Sequence, residues 1–163
     1  MGADTAALLL RLVLGAVMVL HGANHLRTLE GTTKWFASIG LQPARVHALL
    51  SGVTEVGAGA ALVVGLLTSL ECAAVVGVMT VAFVTVHRKN GFFIFRPGEG
   101  YEYVVTLAVA AVSLAALGPG RYSLDRALGV DLDGGVGLAL SAGVGIAGAA
   151  GLLLTCWRPV AKP

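Results

Sequence analysis

Ionisable side chains inside the apolar segments of this sequence are the first candidates for chemistry. A charged group costs free energy in a bilayer, so such a residue usually has both a partner and a function. The residues of this kind are Arg11, His21, His25, Glu55 and His87, and the glutamates near the segment ends are Glu71, Glu99 and Glu102. A histidine beside a carboxylate can relay protons, bind a metal or hydrogen-bond the head group of a quinone.

Helical geometry places several of these side chains at one depth. With a rise of about 1.5 Å per residue, His21 lies about 24 Å along the first apolar segment and Glu55 about 20 Å along the second, both counted from the N-terminal side. His87 lies about 24 Å along the third segment, and Glu102 enters the fourth from the opposite side. His21 and His25 are four residues apart, so they share one helix face. The sequence therefore predicts a polar cluster at this depth.

Four interpretations of this cluster remain open. Glu55 could be protonated or hydrogen-bonded to a histidine and only hold helices together. The histidines could extend to the membrane interface. The three histidines and Glu55 could bind a metal, because His-x-x-x-His with a carboxylate is a known ligand set. We favour a proton relay or quinone head-group site, in which Glu55 accepts a proton and a histidine donates a hydrogen bond to a ring oxygen.

Arg11 requires a different partner. It lies fourteen residues before His25, on nearly the same stripe of the first helix, but only about 10 Å from the N-terminal side. At that depth it is nearer to Glu71 than to Glu55. We therefore expect its guanidinium to bond Glu71 or backbone carbonyls.

The elements that position these residues must be membrane helices. Hydrophobic residues make up 56% of the 163 residues and charged residues only 12%, about half the ~25% of a soluble domain. A soluble core of this size could not bury that much apolar surface. The net charge of +2 comes without a basic cluster, which argues against nucleic-acid binding. Cys72 and Cys156 provide neither a zinc spacing nor a disulfide framework.

Five apolar runs are candidate spans, and they predict an all-α polytopic membrane bundle. They cover residues 5–25, 46–67, 72–86, 101–117 and 135–156. We expect residues 1–134 to form a four-helix membrane domain. Residues 135–163 would add a fifth transmembrane helix and a short tail.

Five spans would place the two termini on opposite sides of the membrane, here called side A (N-terminus) and side B. The basic residues assigned to side B are Arg27, Lys34, Arg45, Arg88, Lys89, Arg96, Arg158 and Lys162. Side A carries Arg121 and Arg126. The positive-inside rule then makes side B cytoplasmic.

One motif matches a nucleotide-binding fingerprint by coincidence. Residues 143–148 match G-x-G-x-x-G, but the nucleotide-binding fingerprint needs a preceding strand and a water-accessible crevice. This match lies inside an apolar run. We interpret it as a helix-packing face of small residues, with Ala147 and Gly151 at small-xxx-small spacing.

Several motifs, in order along residues 5–129, resemble the DoxX family of small bacterial membrane proteins. The stretch 8–15 (LLLRLVLG) followed by His21 and Gly22 resembles the first-helix motif, and 52–65 (GVTEVGAGAALVVG) resembles the second-helix glutamate motif. The stretches 86–93 (VHRKNGFF) and 100–103 (GYEY) resemble the segment between the third and fourth helices. The stretch 118–125 (GPGRYSLD) resembles the closing motif.

The resemblance implies a four-helix bundle in the bacterial plasma membrane and a link to redox processes, including thiosulfate:quinone oxidoreduction. The positions carried over from the motifs are Arg11, His21, Glu55, His87, Asn90, Glu102, Arg121 and Asp125. Glu55, His87 and His21 are the expected catalytic residues. The residues expected to help bind the cofactor are Arg11, His25, Asn90, Glu102, Arg121 and Asp125.

The expected function is a redox-associated membrane subunit that binds quinone or relays protons. The sequence has no haem, flavin or iron–sulfur motif and no expected metal, so electrons would come from a soluble oxidoreductase or another subunit. Whether the chain is an enzyme by itself stays open, as does homo-oligomerisation. The alternative is a non-catalytic anchor or assembly scaffold for a membrane complex.

Overall fold

A computed structural model describes residues 2–159, and this part of the chain is an all-α bundle without β-strands. Its helices are α1 (Gly2–Arg27), α2 (Leu29–Ser38), α3 (Ala44–Val64), α4 (Thr68–Ala82), α5 (Glu102–Leu117), α6 (Leu124–Leu128) and α7 (Gly134–Cys156). A π-helical turn, Phe83–His87, continues α4. The predicted fold class is confirmed.

Four helical segments are long and apolar enough to cross a membrane: α1, α3, α4 with its π-turn, and α7. The predicted span at 101–117 is present as α5, which has 16 residues. It is shorter than the about 20 residues of a typical span. The polar connection after α1 contains a helix that the sequence did not predict, the amphipathic α2.

Glycines allow α1 and α3 to pack closely as an antiparallel pair. Gly22 faces Gly52, and one heptad further along the contact Gly15 faces Gly59. A Cβ added to Gly22 would lie 2.6 Å from the carbonyl oxygen of Gly52, so only glycine permits this approach. The close contact brings the end of α1 beside the middle of α3.

Small residues also allow α7 to pack along α4. The buried residues of α7 recur every fourth position, at Gly137, Ser141, Gly145 and Ala149. A Cβ on Gly145 would lie 2.6 Å from the carbonyl of Ala73. Of the 143–148 motif only Gly145 belongs to this packing face, because a Cβ added at Gly143 or Gly148 meets no atom within 4 Å.

The prediction that Ala147 and Gly151 belong to a packing face is wrong. Both are exposed, because the four-residue period passes through Gly145 rather than through them. α7 also contacts α5. The division of the chain at residue 134 stays a prediction.

The core lies between α1, α4 and α5. Leu14, Met18, Val75 and Leu114 are at most 2% exposed there. Many large apolar side chains elsewhere are exposed, Leu20 and Leu154 among them. Outward-facing leucines of this kind are expected where helices face lipid.

Contacts at the two ends of the bundle define sides A and B. On side A, the backbone N–H of Arg121 donates to Asp4 (3.0 Å). On side B, a C-terminal strap (residues 156–158) pairs with the segment after α2, where the N–H of Arg158 donates to the carbonyl of Gly40 (2.8 Å). The described chain therefore begins on side A and ends on side B. Lys162, counted above for side B, lies outside the described residues.

Candidate functional site

Glu55 is the buried acid at the centre of the candidate site. It is 3% exposed and lies midway along α3. The hydroxyl of Ser51, one turn earlier, donates a short hydrogen bond to Glu55 Oε1. Nδ1 of His25, from α1, lies 3.3 Å from the same oxygen. That approach is not aligned as a hydrogen bond, because the buried Nδ1 has no hydrogen-bond partner among the described residues.

Two aromatic side chains of α2 cover this pair. The rings of Trp35 and Phe36 lie 6.3 and 6.0 Å from the His25 ring, measured between centroids. α2 is amphipathic, and Phe36 is buried beneath it while Trp35 is partly exposed. The short helix therefore acts as a cover over the side-B end of the site.

Two cavities meet at the Glu55–His25 pair. The first, called the groove, lies between α3, α4 and α7 and has a volume of about 530 Å³. The second, called the vestibule, lies between α1, α4 and α5 and has a volume of about 490 Å³. Glu55, His25 and Trp35 line both cavities. The carboxylate is thus reachable from two directions.

The vestibule is lined by the histidines of the polar cluster that the sequence predicts. His21, His25, Glu55 and His87 all line it. Nε2 of His21 lies 3.4 Å from the hydroxyl of Tyr103. Nδ1 of His87, on the π-turn, lies 2.7 Å from the carbonyl oxygen of Glu99 in the following loop. The polar side chains of the vestibule therefore stand among apolar ones such as Met18, Val78 and Val104.

Glu102 does not join this cluster, contrary to the sequence-based expectation. Its Oε2 accepts a hydrogen bond from the backbone N–H of Ile94 (3.1 Å). A carboxylate in the first turn of α5 satisfies a loop amide more readily than it reaches inward. Asn90 also organises this loop: Nδ2 donates to the carbonyls of Val86 (3.0 Å) and Glu99 (3.3 Å) and, in a short contact, to that of Gly98.

Arg11, Arg121 and Asp125 form a separate group near side A. The fully buried Arg11 donates to the carbonyl of Tyr122 (2.5 Å), which is one of the partners predicted for it. The carboxylate of Asp125 accepts from the amides of Leu67 (2.6 Å) and Thr68 (2.8 Å) at the start of α4. These contacts join α1, α4 and α6. They place none of the three residues in the groove or the vestibule.

His47 and Ser51 belong to the site, and sequence reasoning missed them. His47 is 9% exposed, lines the groove and has no hydrogen-bond partner for Nε2 among the described residues. The signal was present, because residues 47, 51 and 55 follow one another at four-residue spacing and therefore share a face of α3. Tyr103 was also missed, since tyrosine at a span end is common in membrane proteins.

The described residues do not form an assembled ligand set for a metal ion. Within residues 2–159, no three His, Cys, Asp or Glu side chains converge closely enough to hold a metal ion. The side chains point to separate partners: His21 to Tyr103, His25 to Glu55 and His87 to the backbone of the loop.

Comparison with known proteins gives one family and one curated relative. The model of the DoxX family matches residues 6–88, which contain α1 to the π-turn. A protein of Bacillus subtilis (strain 168) named "Putative oxidoreductase CatD" is 27% identical over 122 residues, covering 75% of this chain and 86% of the relative. No solved structure matches the chain. The matched family region carries His21, His25, His47, Glu55 and His87.

Proposed function

The chain belongs to the DoxX family, and from that premise we propose that it is a redox-associated integral membrane protein that binds a quinone beside Glu55. The relative from Bacillus subtilis, which is named an oxidoreductase, supports the redox part of this proposal. The observation that carries the site is the contact between the buried Glu55 and the half-buried His25 in the wall between two cavities. A buried acid reachable from two sides is suited to passing a proton between them.

Each side chain has a role in this proposal. Glu55 accepts a proton from a ring hydroxyl of the reduced ligand (the quinol) as its electrons leave, and Ser51 holds its carboxylate in place through Oε1. A histidine donates a hydrogen bond to a ring oxygen. His21 and His87, in the vestibule, connect Glu55 to side B. The quinone supplies the two-electron chemistry, and a soluble oxidoreductase docked on the membrane protein exchanges those electrons.

Binding in defined lipid tests the proposal. Wild type, Glu55→Gln and Glu30→Gln are placed in quinone-free nanodiscs and titrated with quinone, while circular dichroism monitors helicity. Glu30 is an exposed acid on α2, so its variant is the matched control. We expect Glu55→Gln to weaken binding at least about tenfold with unchanged helicity, and Glu30→Gln to bind like wild type. Equal binding by all three proteins, or none by wild type, would contradict the proposal.

A membrane anchor or assembly scaffold is the second candidate, and one contact favours it. The Glu55–His25 contact links α3 to α1 at their closest approach, beside Gly22 and Gly52. If this is its only role, Glu55→Gln loosens the bundle and no quinone binds to any form. Unfolding in a denaturing detergent therefore separates the two candidates.

We also propose that side B faces the bacterial cytoplasm, because most basic loop residues lie there. Impermeant thiol labelling of intact cells tests this in a background lacking Cys156. A cysteine replacing Arg121 should react, and one replacing Arg158 should not. The reverse pattern would invert the topology.

A further inference from the structure

The groove has the shape of a site for an elongated apolar molecule. Its α4 wall runs from Leu70 to Val86, sixteen residues apart, which corresponds to about 24 Å along the helix. Gly77 and Gly148 line the groove without side chains, so the groove stays open at these two positions. The rim residue Val144 is 51% exposed, so the groove opens towards lipid.

Polar groups on α3 face this mostly apolar groove. His47 and Glu55 both line it and are 9% and 3% exposed. They are two helical turns apart, so their backbones are separated by about 12 Å along α3. A ring with two oxygens para to each other spans about 11 Å between its two hydrogen-bond partners. The Nε2 of His47 has no partner among the described residues, so it is available to donate to one oxygen of such a ring while Glu55 binds the other.

The charges of the lining disfavour a phosphate head group. Within the described residues, the groove is lined by two carboxylates, Glu55 and Glu71, and by no lysine or arginine. A phospholipid would bring its phosphate close to these acids without a cation to pair it. A neutral head with hydrogen-bonding oxygens has no such cost. The lining thus favours a quinone over a phospholipid.

We propose that the quinone ring lies in the groove between His47 and Glu55, and that it enters from the lipid between α3 and α7. This inference rests on the proposed function and assigns its ring site to the groove rather than the vestibule. His47 Nε2–H donates to one ring oxygen, and the hydroxyl of the reduced form donates to the Glu55 carboxylate. The remaining groove, towards Leu70, holds the first units of the isoprenoid tail.

Two glycines of α7 provide a matched test. A Cβ added at Gly148 or at Gly143 meets no atom within 4 Å, but only Gly148 lines the groove. Gly148→Phe should fill the groove, and Gly143→Phe should project from the same helix into lipid. In nanodiscs, we expect Gly148→Phe to weaken quinone binding at least about tenfold, and Gly143→Phe less than about twofold. Gly148→Leu serves the same purpose if the phenylalanine variant folds poorly.

His47→Phe tests the hydrogen bond, since phenylalanine keeps an aromatic ring but lacks the donor. Infrared difference spectra of the bound quinone should show one carbonyl band at higher frequency in this variant, because that oxygen loses its donor. A tailless quinone should bind wild type more weakly than a tailed one.

The outcomes separate the two proposals. If Gly148→Phe and His47→Phe bind quinone like wild type while Glu55→Gln does not, the ring lies outside the groove and only this inference falls. If wild type binds no quinone, the proposed function falls first.

Discussion

The approach of α1 to α3 at Gly22 can be tested with a single methyl group. In Gly22→Ala the new Cβ would lie 2.6 Å from the carbonyl oxygen of Gly52 and 2.8 Å from Cβ of Glu55. Ordinary contact begins at 3.4 Å, so the helices must separate by about 0.8 Å. That movement would lengthen the 3.3 Å approach of His25 to Glu55 to about 4 Å, and the pair would weaken.

The magnitude follows from two opposing effects. Overpacking a tight contact costs about 1–3 kcal/mol. Replacing glycine by alanine inside a helix gains about 0.5–1 kcal/mol. Gly57 isolates the second effect, because it is an exposed glycine on α3 with no atom within 4 Å of an added Cβ. We expect Gly22→Ala to be less stable than Gly57→Ala by about 1–3 kcal/mol, the overpacking cost alone.

Unfolding by sodium dodecyl sulfate in mixed micelles, followed by circular dichroism, measures the difference. Both variants add one methyl group to a glycine in a membrane helix, so intrinsic helix propensity cancels in the comparison. Equal midpoints for Gly22→Ala and Gly57→Ala would refute the close helix contact. They would also remove the reason why His25 reaches Glu55.

Three further predictions concern the rest of the bundle. Asp125→Ala should lower the free energy of unfolding by about 1–2 kcal/mol, because two amides at the start of α4 lose their acceptor; thermal unfolding measures this. Gly145→Leu should prevent α7 from packing on α4, seen as loss of folded protein by size-exclusion chromatography, whereas Gly143→Leu should not. Outside the membrane, the hydrogen bond from Arg126 holds the pKa of Asp131 below its ordinary value of 3.8. The pair therefore stabilises the fold above pH 3.8 and is lost as the pH falls further. Because the Arg126 side chain is 64% exposed, the pair contributes little, so the melting temperatures of wild type and Asp131→Asn should differ little at pH 7 and converge in acid.

Local sequence signals determined most helix positions. The predicted run 135–156 agrees with α7 to one residue, because Asp133 and glycine precede it and a charged segment follows. The turn between α3 and α4 was predicted less accurately. The second run was predicted to end at residue 67 and the third to begin at 72. α4 instead begins at Thr68, where its first amides are capped by Asp125. That residue is 57 positions away, so no local pattern could show it.

A sequence specifies the depth of a side chain along a helix better than the direction in which that side chain points. Counting residues along a helix gave the depth of His21, Glu55 and His87, and all three line the vestibule. The direction in which a side chain points depends on how neighbouring helices are rotated, and glycine contacts set that rotation here. His47 was overlooked for this reason, since its face becomes the wall of a groove only because α4 and α7 lie across from it.

Two buried histidine nitrogens at the site, His25 Nδ1 and His47 Nε2, have no hydrogen-bond partner among the described residues, and this favours a ligand site over a scaffold. Glu55 Oε1 accepts from Ser51, but the nearby Nδ1 of His25 is not aligned to donate to it. Histidines kept only to join helices would gain from full pairing, because a buried polar group without a hydrogen-bond partner costs about 1–3 kcal/mol. His25 and His47 line the same groove, so both costs arise beside one cavity. Two unsatisfied groups facing one cavity are stabilised together when a ligand with two hydrogen-bonding oxygens binds between them.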